Sequence, residues 1–357
     1  MSEVRSPEGR RPSAVSRKLS VRPMTMADKP AVLRISSRIW EGNDYVPLFF
    51  DHWVRGGGFW AAELRGRIVG YGKATEFAPG EWWLEGLRVD PRCRKRGIGK
   101  ELSRQVLHRT LDERPVSLRL ATADVNRESM HIITTVMGFK PYTQYRFFVG
   151  KPEATRPGAR PVRKMGTVPR VRALRGAVPV FQSHAPLVRP AAREVLDFIQ
   201  QSPELSASRG LLQYTWLFRQ VSRRYLAELK KGDHVLGYRV GGRPAGLMII
   251  RPHRYRGNDL DISFVAGSEV ALGAFRSFLY QRARDCDAKN ISGMAASKEM
   301  AAALKSLGLE PHPHIGRVLV YEYPIQAKVQ RTKSEGQSKG EVEKDRNPSY
   351  LPFLRLA

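Results

Sequence analysis

The same order of elements occurs twice along this chain, about 165 residues apart, and that repetition limits the fold more than any other feature. In the first copy LSVRP (19–23) reads as a strand, and Val32, Ile35 and Ile39 give the apolar stripe of a helix. FWAAEL (59–64) and IVGYGKA (68–74) flank an Arg65-Gly66-Arg67 turn as a hairpin, and EWWLEGLRV (81–89) follows as a third strand. Ile98, Leu102 and Val106 mark a second helix, SLRLATA (117–123) a buried strand, SMHIITTVM (129–137) a helix stopped by Gly138, and FKPYTQYRFFV (139–149) a closing strand. The second copy answers with PLVRP (186–190), DHVLGYRVGGRPAGLMII (233–250), DLDISFVAG (259–267), the helix 269–283, NISGMA (290–295) and the helix 298–310. A repeat this long means two copies of one α/β domain, not a solenoid, whose repeats are far shorter. The expected fold class is α/β (α+β), a mixed, mostly antiparallel sheet flanked by helices, followed by a degenerate second copy.

The segments between the copies differ in character. Residues 1–18 and 326–357 are polar and charged without aliphatic periodicity and read as flexible tails. Domains are expected at 19–150 and 184–325. Residues 151–183 form a Pro/Gly-rich linker carrying eight Lys or Arg against the single Glu153. The whole chain has 357 residues and a formal net charge of +27, which favours anionic partners and allows a non-specific polyanion contact through the basic linker. No zinc-finger spacing or RNA-recognition signature accompanies that charge, so it predicts no sequence-specific reader. Cys93 and Cys286 are the only cysteines and stand far apart, which predicts neither a disulfide framework nor a metal site. No apolar run has bilayer-spanning length and no signal peptide is evident, so the expected location is cytoplasmic, with no membrane partner.

One stretch concentrates the chemistry. LRVDPRCRKRGIGKEL (87–102) places Arg94, Lys95, Arg96 and Lys100 around Gly97 and Gly99, after a strand and at the start of a helix. Glycines let backbone N–H groups approach closely, the helix N-terminus supplies partial positive charge, and the side chains add full charges, which together suit a diphosphate. The corresponding turn of the second copy, FVAGSEVALGAF (264–275), lacks this pattern, so that copy is expected to cover the first or form an interface and to carry no chemistry.

Residues 19–150 resemble the GNAT superfamily of acetyl-CoA-dependent N-acetyltransferases. The resemblance rests on Leu87, Val89, Arg94, Gly97 and Gly99, with Asn126 after the next strand and Gly138-Phe139 after the last helix. It implies acetyl-CoA as co-substrate and no metal. The diphosphate would be held by Arg94, Lys95, Arg96, Gly97, Ile98, Gly99 and Lys100, the pantetheine would pair with Leu87 and Val89, and Asn126 would lie beside the thiol arm. A narrower resemblance, carried by IWEGNDYVPLFFDHW (39–53) and LEGLRVDPRCRKRGIG (84–99), is to the histidine N-acetyltransferase group, which implies a small amine such as an amino acid as acceptor. Many superfamily members place a tyrosine acid at the position that is Thr134 here.

A thioester is already activated, so a chain of this kind must position a neutral amine, accept its proton and stabilise the oxygen that gathers charge. Glu85, four residues before Val89, is the candidate base; it also fits a substrate anchor or a salt bridge to Arg88. Asp44 and Tyr45 are candidates for holding the acceptor, with an Asx-type turn before Pro47 the other reading of Asp44. Two further classes of function stay open at this level: transfer to a protein or ribosome-associated acceptor, and a basic, nucleic-acid-associated regulator that binds acyl-CoA without turnover.

Overall fold

A computed structural model describes residues 19–152, 187–232, 234–254 and 257–325. The tails expected at 1–18 and 326–357, and nearly all of the basic linker at 151–183, lie outside the described residues. In chain order the first elements are β1 (Leu19–Pro23), α1 (Lys29–Ser36), α2 (Val46–Arg55), β2 (Phe59–Leu64), β3 (Arg67–Ala78), β4 (Glu81–Val89), α3 (Ile98–Asp112), β5 (Ser117–Ala123), α4 (Arg127–His131) and β6 (Lys140–Gly150). They are followed by α5 (Ala192–Gln200), α6 (Pro203–Ala207), β7 (Leu211–Tyr214), β8 (Leu217–Gln220), α7 (Arg223–Gly232), β9 (His234–Val240) and β10 (Arg243–Pro252). The last are β11 (Leu260–Gly267), α8 (Glu269–Asp285), β12 (Ile291–Ala295), α9 (Lys298–Ser306), β13 (Glu310–Pro311) and β14 (Arg317–Glu322).

These elements form two compact units, one made of the residues up to Gln144 together with those from Arg317 onward, the other of Tyr145–Gly316. Each sheet therefore includes a strand from beyond the span its own repeat covers. In the first unit the sheet runs β1-β2-β3-β4-β5-β14, antiparallel except for β4 beside β5. In the second, the latter half of β6 is followed by β12, β11, β10 and β9, antiparallel except for β11 beside β12. Residues 145–150, which end the expected first domain, thus belong to the second unit, and Arg317–Ile325, which end the expected second domain, belong to the first. The cause is pairing: Val318 to Glu322 take β5 as their ladder partner, and Arg146 to Gly150 take β12.

Each unit has its own apolar core. In the first, Ile98, Leu102 and Val106 turn one stripe of α3 onto β3 and β4, where Leu84, Leu118, Leu120 and Phe139 close around them. In the second, Phe275 and Leu279 of α8 and Leu304 of α9 pack on Ile249, Ile262 and Phe264. Burying side chains of this size is the main stabilising term in each unit, about 1.5 to 3 kcal/mol apiece.

Two departures from the repeat matter. Among the described residues PLVRP contributes a single bridge, Val188 to Gly237, and Pro190 lacks the N–H a longer ladder needs. The hairpin β7–β8, paired from Leu211↔Gln220 to Tyr214↔Leu217, has no counterpart among the described residues of the first unit and no forecast in the element order.

Candidate active site

The geometry of β4 sets up everything around it. Its ladder to β3 pairs Lys73 with Glu85 and Tyr71 with Arg88, so Gly86 and Leu87 together face the single residue Gly72. This bulge requires glycine: Gly86 has φ +66, and a Cβ there would lie 2.8 Å from the Trp53 ring. On its other side β4 pairs with β5 only from Glu81↔Ser117 to Trp83↔Arg119. From Leu84 onward the two parallel strands part, leaving an open edge on β4. The Asp90 N–H donates to Val69 O on the β3 side at 2.8 Å, and alternation along the strand therefore turns the Leu87 and Val89 N–H groups toward the opening.

The opening leads into the basic loop. Asp90 is fully buried at the hinge, accepts from the Arg92 N–H, and takes Arg34 at 2.8 Å, with Arg38 and Arg67 at 3.8 and 3.9 Å. Sequence reasoning missed this carboxylate; its signal was an acidic residue at the capping position before Pro91. Beyond it Lys95 (φ +60) and Gly97 (φ +80) turn the backbone through left-handed conformations, and buried Ile98 pins the start of α3. Arg94, Lys95, Arg96 and Lys100 are exposed. Among the described residues no protein acceptor takes the N–H groups of Lys95 to Lys100, as expected for a loop running into the first turn of a helix. Six free donors, a helix N-terminus and four cationic side chains form a cradle that fits a diphosphate. Asn126 spends its side-chain oxygen capping α4, accepting from Ser129 N–H at 3.2 Å, which leaves its amide NH2 as the group to offer a ligand.

The opposite face of β3 and β4 carries the other candidates. Glu85 is half-buried and accepts from Thr75 Oγ1 at 2.8 Å. Trp53, stacked on Phe49 and edge-on to Tyr45, lies against the bulge, so Glu85 stands beside an aromatic wall. Arg88 does not pair with Glu85. Its guanidinium is clamped by Asp44, with Nη2 at 2.8 Å and Nε 3.2 Å from both carboxylate oxygens. A salt bridge from Glu85 to Arg88 is thereby removed.

The same contacts correct the expectation for Asp44. Its side chain is wholly enclosed, and besides Arg88 it accepts from Ser36 Oγ at 2.9 Å, Tyr71 Oη at 3.3 Å and the Val46 N–H at 3.4 Å. With its lone pairs taken, Asp44 orders the connection between α1 and α2 and has none left for a substrate ammonium. Burial works against the charged Arg88, but neighbouring Tyr45 and Asp44 outweigh it and hold its proton more tightly than in an ordinary arginine. Tyr71 is held neutral by burial and by the Asp44 charge, its pKa raised above the usual range for a phenol. Tyr45 is half-buried with its ring 5.2 Å from the Arg88 guanidinium.

The same guanidinium lies over the ring of Trp40, 4.4 Å away and 59% exposed. Trp40 (φ +47) and Glu41 (φ +57) occupy the two central positions of a turn closed by Gly42 N–H to Ile39 O, conformations that side-chain-bearing residues adopt at a cost of about 1 to 2 kcal/mol each. The clamped Arg88 lies against the indole at this strained turn. No group of three or more potential metal ligands occurs among the described residues.

The second unit repeats the bulge and the parting but not the cradle. Ser263 is the extra residue between Ile262 and Phe264, and β11 meets β12 only from Leu260 to Ile262. Gly267 then passes directly to Ser268, which caps α8 by accepting from Ala271 N–H, with Glu269 in the first turn. A helix start with no loop and an acidic residue repels a diphosphate.

The hairpin β7–β8 is fixed to β11 instead: Asp261, fully buried, accepts from the Thr215 N–H at 3.1 Å and from Ser292 Oγ at 2.9 Å. Burial pushes its carboxyl up from 3.8 to about 6. Between about pH 4 and pH 6 the folded unit then holds a proton that the unfolded chain has lost, so stability is full below that window and falls through it by about 3 kcal/mol. Asp261→Asn, whose NH2 can donate to the unpartnered Gln213 Oε1 nearby, should flatten this slope and raise stability at pH 7. Denaturant titrations of both proteins at pH 4 and pH 7 measure it; a variant weaker at pH 7 would show that the charged carboxylate is the stabilising form.

Comparison with known proteins agrees with this geometry. Residues 29–139 match the model of the acetyltransferase (GNAT) family. Among solved structures, a GCN5-related N-acetyltransferase from Sphaerobacter thermophilus is similar over 86% of this chain and 95% of its own, with a TM-score of 0.55 at 12% identity. A tandem GNAT protein from the clavulanic acid biosynthesis pathway is similar over 85% of this chain and 98% of its own, with a TM-score of 0.51 at 16% identity. At these identities the likeness is one of fold. No curated protein matches the chain.

Proposed function

From an acetyltransferase domain of the GNAT family over residues 29–139, we propose that this protein is an N-acetyltransferase that moves the acetyl group of acetyl-CoA to the amine of a small molecule. The observation that carries the reading is the continuity of one edge: the Leu87 and Val89 N–H groups line the opening of β4, and the unpaired N–H groups of residues 95–100 follow directly after it. The residues present fit the cofactor: Arg94 to Lys100 hold the diphosphate, Leu87 and Val89 pair with the pantetheine amides, and the Asn126 amide reaches the arm. Bound acetyl-CoA supplies a thioester carbonyl that a neutral amine can attack.

The chain supplies the remainder. Glu85, ordered by Thr75 at 2.8 Å, takes the proton of the incoming amine directly or through one water. The Val89 N–H faces the oxygen on which charge gathers. Thr134 offers no proton, because its hydroxyl is donated to Met130 O at 2.8 Å, so the thiol group departs as thiolate or is protonated by water. Resemblance over residues 39–53 and 84–99 puts histidine and other amino acids first among acceptors.

The test incubates the full chain with acetyl-CoA and a panel of amino acids including histidine, simple amines and a basic protein, reading thiol release and product mass. Acetylation of a small amine is the expected result. Acetyl-CoA binding without transfer to any small amine would overturn it, and transfer to the basic protein alone would assign a macromolecular acceptor.

A further inference from the structure

The acetyltransferase face leaves the second unit and much of the +27 charge unexplained. In that unit the tip of β7–β8 is a two-residue turn, Thr215 (φ +57) and Trp216, closed by the Tyr214↔Leu217 pair. Trp216 begins a run of rings. Its centroid lies 5.9 Å from Phe147, Phe147 stacks on His312 at 4.8 Å and 13°, and His312 lies 6.1 Å from His314. These rings are not core. Phe148 points into the apolar cluster of the unit, whereas Phe147, Tyr214 and Trp216 lie outside it and keep partial solvent contact.

Cations flank the other side of the tip. The Arg251 guanidinium sits 3.5 Å above the Tyr214 ring, and Tyr214 Oη donates to Pro252 O at 2.9 Å. The Arg254 N–H donates to Thr215 Oγ1 at 3.3 Å, which places Arg254 beside the turn. Asp261, which accepts from the Thr215 N–H, is enclosed beneath the turn.

We propose that this ridge is a docking surface for single-stranded nucleic acid, with bases stacking on Trp216 and the rings beyond it and phosphates taken by Arg251 and Arg254. A row of half-exposed rings about 5 to 6 Å apart, bordered by arginines, is the combination that single strands use and that needs no base-specific contact. An acidic peptide would meet the cations but leave the flat faces unused. A duplex hides its base faces and would meet only the charge.

The experiment uses the full chain with acetyl-CoA saturating throughout, so that the cradle at residues 94–100 is filled, and a fluorescent oligouridylate about twelve nucleotides long, followed by anisotropy at about 50 and about 200 mM salt. The wild-type chain should bind. Trp216→Ala should weaken binding about fivefold to hundredfold with the salt slope unchanged, and Arg254→Gln should lower that slope by about 0.7. Trp216→Leu keeps an apolar side chain against Phe147 but removes the flat ring and should behave like the alanine variant, whereas Trp216→Phe should restore binding.

In each variant an unchanged denaturant transition of the second unit, the one that acetyl-CoA does not shift, reports an intact fold. The inference is overturned if the wild-type chain does not bind at low salt, if Trp216→Ala and Trp216→Leu bind as well as wild type, or if duplex or polyglutamate competes as well as the oligouridylate. Loss of acetyl-CoA binding by the wild-type chain would count against the first unit's proposed function and leave these results standing.

Discussion

Glu85→Gln should lower kcat for amine acetylation by about a hundredfold to ten-thousandfold while leaving acetyl-CoA affinity unchanged. The amide keeps the shape of the side chain and its hydrogen bond from Thr75, which is 2.8 Å away, but cannot accept the proton. The two remaining roles for this carboxylate separate in the kinetics. A base acts in the transition state, so its loss lowers kcat and kcat/KM together with KM nearly constant. An anchor for a cationic acceptor acts equally in the ground state, so its loss raises KM and spares kcat. A change confined to KM would make Glu85 an anchor and leave the base to be sought elsewhere.

The fold was legible where local pattern and tertiary pairing agree. The strand EWWLEGLRV, the glycine turn and the helix from Ile98 stand where residue periodicity puts them, because each is specified within about ten residues. Strand partners are a different matter. That the latter half of β6 pairs with β12 and β14 with β5 depends on contacts up to some two hundred residues apart, for which neither strand's own sequence carries a mark. The hairpin β7–β8 escaped notice for a similar reason: Gln213 and Thr215 read as surface residues, yet both are buried, Gln213 donating through Nε2 to Ile262 O and Thr215 through its N–H to Asp261 of β11. The turn from Arg94 through Gly97 into the helix stands where the sequence puts it. On the acceptor face the residue types drew attention to the right segment but could not assign partners: Asp44 beside Tyr45 has the same sequence whether it meets a ligand or Arg88, forty-four positions away. Asp90 illustrates the reverse, a carboxylate that looks like a turn residue and proves to be the buried meeting point of arginines from three segments.

Arg88→Met should destabilise the first unit by about 3 to 5 kcal/mol. Methionine preserves most of the buried stem, so the loss isolates the charge. Asp44 would stay enclosed with only two hydroxyls and one N–H to satisfy a full negative charge, and an unpaired buried carboxylate costs far more than the pair contributes. The double variant Arg88→Met, Asp44→Asn removes that charge and should recover most of the loss, giving a large interaction energy in the double-mutant cycle. Denaturant titration measures this on the transition that acetyl-CoA shifts upward, since ligand bound to the folded first unit identifies it by mass action. The two variants also separate stability from positioning. Without the guanidinium, 4.4 Å from the indole, the strained Trp40-Glu41 turn loses that contact, and nothing in the Asp44→Asn change replaces it. The double variant should therefore regain stability and bind acetyl-CoA normally, yet show a raised KM for the acceptor. If it regained acceptor affinity together with stability, the turn would be held by other contacts and Trp40 would have no part in shaping the acceptor site.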